Sequence, residues 1–350
     1  MKTFRPQLHS SPARARGVTL IELMIALLLG LLVSGAALAL FVTNKQTYKT
    51  SESLGRVQEA ERTAFELMAR DLREAAGNAC EKDLDVANVL NTPSSNWYTD
   101  FTGGVRGYDN TVASAGSPFG TAVQNRVLGT DAIELKSSVS GETAIDRQPG
   151  GPSADIKLGA VANNLQVGDI VMACNFDHAA IFQISQLNGS GNLNLVHNTG
   201  AAVPGNCSKG LGFPTVCSAT GTYYDFGDNP PAVIAKLKAT RWYVGYNGRT
   251  YLGQPSRSLY QTTLTNNSGN AGTVTNEITE GVRDMQLKFL LAGATTYVDP
   301  GTVTAADWLT DKVVAVNLDL TLEGSDRVST DGTVLSRHLE HTVTIRNRAP

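Results

Sequence analysis

Few side chains in this sequence are spaced for chemistry. The tightest group is His338, Glu340 and His341, two imidazoles and a carboxylate of the kind that hold zinc. On a strand, His338 and Glu340 share one face while His341 turns to the other, so the trio reads as a solvated strand face. Asp83, Asp85 and Asn88 offer part of the oxygen spacing of a calcium loop but lack its glycine and closing glutamate. His178 and His197 stand alone. A GxSxG elbow, an HExxH, a P-loop and a GxGxxG are all missing. The chain therefore reads as no enzyme, with no metal and no cofactor. An exported hydrolase on an N-terminal anchor would need a nucleophile and base that the sequence does not present.

The four cysteines, Cys80, Cys174, Cys207 and Cys217, contain no CxxC spacing, which argues against a zinc or thioredoxin-like site. An even count in an exported chain reads as two disulfides with three possible pairings. Cys207 and Cys217 flank a short loop containing Gly and Pro and are expected to pair, leaving Cys80 with Cys174.

The remaining chemical oddity is Glu22, the single charge between Val18 and Val42. Those 25 residues span about 37 Å as a helix, enough to cross a ~30 Å hydrocarbon core with some tilt. Lys2, Arg5, Arg14 and Arg16 precede them with no acid among the first 17 residues, so the leader should stay cytoplasmic and the rest be exported. A cleaved secretory signal is one reading, with Ala37-Leu38-Ala39 as an A-x-A site. However, the apolar run before that site is long and carries a carboxylate. An inert uncleaved anchor is a second reading, but it has no use for Glu22, since a carboxylate in lipid costs free energy and by default marks a function.

The stretch Gly17-Val18-Thr19-Leu20-Ile21-Glu22 resembles the class III signal of type IV prepilins, a basic leader ending in Gly and followed by an apolar helix with Glu at its fifth position. That resemblance implies cleavage between Gly17 and Val18 by prepilin peptidase and N-methylation of Val18, where the family usually has Phe. It also implies a role for Glu22 in setting subunit register, pairing with a neighbour's amino group inside the filament. An unpaired carboxylate there is costly, much as one buried polar residue fixes register in a coiled coil. Gly17 offers the peptidase a backbone without a side chain.

These elements must be carried by a long helix. From Thr43 to Ala76 there is no Pro and one Gly, and Leu54, Val57, Ala64, Met68, Leu72 and Ala75 recur at three- and four-residue spacing. Gly77-Asn78 is the expected stop. Gly30, Ser34, Gly35 and Ala39 form small-xxx-small pairs that let membrane helices approach closely. The predicted segments are a leader over 1–17, a membrane and filament-core helix over 18–42, an amphipathic continuation over 43–77 and a β-rich head over 78–350. In the head, 88–130 reads as a long loop. Strands are predicted at Asp131–Val139, Asp169–Cys174, Ala179–Leu187, Asn192–Val196, Thr240–Tyr246, Ser258–Thr265, Arg283–Leu290, Lys312–Glu323 and Leu335–Asn347. Turns are expected at Asn188-Gly189, Asn247-Gly248 and Asp331-Gly332, and 197–235 as an excursion tethered by the second disulfide. The fold class is α+β, a long helix packed on an antiparallel sheet.

The runs Gly168–Cys174, Ala179–Gln183 and Glu280–Gln286, with the terminal Arg346-Asn347-Arg348, are similar to the PilW-type minor pilins. That resemblance implies a part in initiating pilus assembly near the tip, with other minor pilins and the major pilin as partners. It also implies residence in the inner membrane, head in the periplasm, before export in the pilus. A minor pseudopilin of a type II secretion system shares the same signal and helix. Overall charge is −3, and beyond residue 17 there are 25 basic against 32 acidic residues, which argues against nucleic-acid binding.

Overall fold

The computed structural model describes residues 17–80, 84–114, 116–139, 143–151, 153–159, 164–189, 193–200, 202–227, 230–251, 253–310, 312–328 and 332–348. The chain divides into two units, Met1–Glu52 and Ser53–Pro350. One helix, α1 (Leu20–Glu74), supplies the described part of the first unit apart from three residues before it, and opens the second.

In the first unit every large apolar side chain from Val18 to Tyr48 is exposed. Up to Val42 the helix is apolar all round, long and apolar enough to cross a membrane. In the second unit the sequence turns amphipathic and the buried stripe is Ser53, Val57, Ala64, Met68, Ala69, Asp71 and Leu72. The helix ends two residues before the expected Ala76. Ala76 itself takes the left-handed backbone (φ 57). Gly77 serves a close approach instead, since a Cβ there would lie 2.6 Å from Asn347 Nδ2. That amide donates to Glu74 O (3.3 Å) and Ala75 O (3.1 Å), so a residue from the far end of the chain satisfies helix-terminal carbonyls.

The body is built from strands β1 (Val86–Asn88), β2 (Val105–Tyr108), β3 (Ala132–Ser138), β4 (Thr143–Arg147), β5 (Asp155–Leu158), β6 (Ile170–Cys174), β7 (Ala179–Gln183), β8 (Gln186–Asn188) and β9 (Asn194–Val196). Then come β10 (Ala232–Tyr251), β11 (Gln254–Asn267), β12 (Asn270–Glu280), β13 (Val282–Leu291), a five-residue α2 (Ala305–Leu309), β14 (Val313–Arg327) and β15 (Val334–Thr344). β10 is shared. Its first residues pair with β4 and β6, and its remainder with β3 and β11. β13, β14 and β15 form a separate antiparallel sheet. Among the described strands, the named pairings are antiparallel except β1 with β7. The fold class is α+β, and the helix stripe shares one apolar cluster with Ile133, Leu135, Trp242, Val244 and Leu259 of β3, β10 and β11 and with Met285, Leu287, Leu318, Leu320 and Val343 of β13, β14 and β15. A second apolar cluster, including Ile156, Val171, Phe182 and Leu195, lies within β5, β6, β7 and β9.

Three expectations need correction. The stretch 88–130 is no plain loop: it holds β2 and is organised around Arg126, fully buried, which donates to the carbonyls of Tyr108, Asp109, Val112 and Thr130. Asn247-Gly248 is not the hairpin turn. β10 runs on past it, with Asn247, Gly248 and Arg249 bulged opposite β11 and Gly248 at φ 78. β12, rich in Thr and Asn with few apolar residues, shows no alternation in sequence and went unpredicted, as did β4 and β5. The predicted turn residue Asp331, the first residue of the predicted strand at Asn192 and Asp83 lie outside the described residues.

Candidate functional site

Gly17, Val18 and Thr19 precede the helix in non-helical, exposed backbone. Nothing lies within 4 Å of where a Cβ at Gly17 would sit, so the described residues give no packing reason for glycine there. Residues 1–16, the rest of the expected leader, lie outside the described residues.

Thr19 and Glu22 form a reciprocal capping box. Glu22 Oε2 accepts from Thr19 N (3.1 Å) and Thr19 Oγ1 (3.0 Å), while Glu22 N donates to Thr19 Oγ1 (3.3 Å). The carboxylate is thus held at the helix N-terminus, where the dipole favours negative charge, and Oε1 has no partner among the described residues. Sequence reasoning singled out Glu22 but passed over Thr19, although Thr-x-x-Glu before an apolar run is a legible capping signal. Gly30 and Gly35 likewise have nothing within 4 Å of a built Cβ, which leaves that small-residue face open.

In the body, disulfides join Cys80 to Cys174 and Cys207 to Cys217. The first ties the chain just after α1 to β6, and the second closes a ten-residue separation. The His338 trio is not brought together. His338 Nδ1 lies 3.6 Å from Asp319 Oδ1, Glu340 Oε1 accepts from Asn317 Nδ2 (3.2 Å), and His341 lies tilted against Phe65 with ring centroids 4.4 Å apart. His178 Nε2 lies 2.7 Å from Leu211 O. His197 is fully buried beside Phe182, and burial, with the charge of Lys209, holds its imidazole down to about 4.

A residue the sequence did not announce is Asp71, 3% exposed on the buried stripe of α1. It accepts from Lys238 Nζ (2.7 Å), Trp242 Nε1 (3.0 Å) and Gln261 Nε2 (2.8 Å), pinning the helix to β10 and β11.

Residues 12–38 match the family described as "Prokaryotic N-terminal methylation motif". The N-terminus is type IV pilin-like. No curated protein and no solved structure matches the chain. The motif implies processing by prepilin peptidase and assembly with other pilins. With the apolar helix, it supports anchoring in the inner membrane. It points to a structural pilin or pseudopilin-like protein rather than to an enzyme.

Proposed function

We propose that this chain is a minor pilin of the PilW type, cut between Gly17 and Val18, methylated on the Val18 amine, and incorporated near the tip of a type IV pilus. The observation that carries this reading is Gly17 standing exposed in non-helical backbone three residues before a helix whose opening stretch is apolar on every face. A protease binds extended backbone, and a glycine with no packing duty among the described residues answers to the enzyme that grips it. Removing residues 1–17 leaves a new amine four residues from Glu22. Glu22 then presents Oε1 to the amine of a neighbouring subunit while Thr19 holds Oε2, and this ion pair fixes axial register in an apolar bundle. Residues 18–42 serve as membrane and then filament-core helix, 43–77 as the packed continuation, and 78–350 as a periplasmic head that later leaves the cell. No direct contact with nucleic acid is part of this role.

The test is intact-mass and N-terminal analysis of protein extracted from membranes. The expected species begins at Val18 and carries one added methyl group. An N-terminus at Leu40 would mean that Ala37-Leu38-Ala39 is a secretory cleavage site and would overturn the reading.

A further inference from the structure

A cleft of about 500 Å³ opens in the body between the second half of α1, β11, the β12–β13 junction and β14. Arg56, Arg257, Arg283 and Arg327 line it, against two carboxylates, Glu280 and Glu323. Both carboxylates are already engaged. Glu323 Oε1 lies 3.2 Å from Arg283 Nε, and Glu280 Oε1 lies 2.7 Å from Nε of Arg249, which stands outside the lining. Arg257 donates from Nη1 to Arg283 O (2.8 Å), and its Nε is buried with no hydrogen-bond partner. Among the described residues, no carboxylate stands within ion-pair distance of Arg257 or Arg327. The cleft is therefore locally cationic in a chain of net charge −3. Its remaining wall is mixed, with Ala60 and Leu322 standing beside Ser53, Gln254, Ser256 and Thr333.

We propose that this cleft binds an extended peptide segment of another protein, one that carries two or more carboxylates. Guanidinium forks match planar carboxylates through paired hydrogen bonds, and the mixed wall between them takes the intervening peptide backbone and uncharged side chains. The resident Glu280 and Glu323 disfavour a compact, multiply charged anion such as a phosphate cluster. Nucleic acid would need a continuous track of cations along its backbone, and this cleft alternates cations with carboxylates and uncharged surface. The inference stands apart from the assembly reading above, because capture of a peptide is read on the purified chain.

The experiment presents the full chain in phosphatidylcholine nanodiscs to a random peptide library. Recovered peptides are expected to carry paired Asp or Glu residues. Their synthetic forms should bind wild type about tenfold or more tighter than Arg257→Gln and Arg327→Gln, in keeping with loss of a charge-assisted contact. They should also lose binding when their acids become Asn and Gln. Because Arg327 is exposed, its variant tests the site without disturbing packing. Recovery of peptides without acidic residues, or acidic peptides that bind both variants like wild type, overturns the proposal. So does their complete displacement by inorganic phosphate or by phosphatidylglycerol nanodiscs, which would make this a phosphate or lipid-headgroup site.

Discussion

Replacing Asp71 by Ala tests what fastens the long helix to the body. The carboxylate is 3% exposed and meets three donors, at 2.7 Å from Lys238, 2.8 Å from Gln261 and 3.0 Å from Trp242. Removing it leaves the Trp242 indole N–H unsatisfied in a fully buried residue, a loss of about 1–3 kcal/mol. It also separates Lys238 from its main partner, though Lys238 keeps a 3.5 Å contact with Glu74 and its side chain is 26% exposed. Breaking a buried pair from one side costs about 3–5 kcal/mol, and the partial exposure of Lys238 places the expected loss at about 4 kcal/mol. Asp71→Asn keeps the shape and one acceptor but turns an N–H₂ toward donors, so about 2 kcal/mol is expected. Urea unfolding in detergent micelles, followed by tryptophan emission, should show the midpoint falling by more than about 1 M for Asp71→Ala, at an m of about 3 kcal/mol/M. A loss below about 1 kcal/mol, or no coupling in a double-mutant cycle with Lys238→Met, would refute the reasoning and assign the fastening to the apolar stripe alone.

His197 gives an acid limb to stability. Below its ordinary value of 6.5 the unfolded chain takes a proton that the folded chain refuses until about pH 4, so stability falls across that window by up to about 3 kcal/mol. His197→Leu should remove this slope. The comparison is made against wild type at each pH, because Asp131, raised to about 7 mainly by burial, loses stability in the opposite direction as pH rises from 3.8. Replacing Cys80 and Cys174 with Ser should cost about 4–5 kcal/mol, since that bridge spans a separation of 94 residues. The same change at Cys207 and Cys217, a separation of 10, should cost about 3 kcal/mol. Thermal unfolding of the oxidised variants would rank them, and equal losses would contradict the loop-length argument. Gly17→Val should leave an uncut precursor in the membrane. Glu22→Ala should be cut normally yet fall sharply in sheared pili, and normal incorporation would show that the carboxylate sets no register. Glu22→Gln should match Ala if charge matters and wild type if a hydrogen bond suffices.

Local pattern announced α1, because the change from all-round apolar to a three- and four-residue stripe is contained within one segment. It also announced β14, whose Val316, Leu318, Leu320 and Leu322 are all buried. At that strand's start the alternation slips: Val313 is buried while Val314 is only half-buried, beside a register shift against β13 that no sequence window reveals. Asn247-Gly248 carried a turn signal, yet the bulge absorbed it and the chain reversed only after Tyr251. Asp71 was illegible because its partners lie 167, 171 and 190 residues away. At the N-terminus the situation is reversed. The motif, the apolar run and the capping pair, Thr19 with Glu22, all lie within a few residues of one another.

The exposure of every large apolar side chain from Val18 to Tyr48 has a thermodynamic consequence for any polymer such a helix enters. Between Leu20 and Val42 it has no face compatible with water, so that stretch can only move between lipid and a protein bundle. Lipid tails are as apolar as leucine, and this transfer gains almost nothing from the hydrophobic effect. Direction must then come from close packing at small residues, from charge pairing and from contacts between bodies. A near-neutral transfer also runs backwards at little cost. A helix surfaced in this way suits a fibre whose subunits return intact to the membrane when it is taken apart.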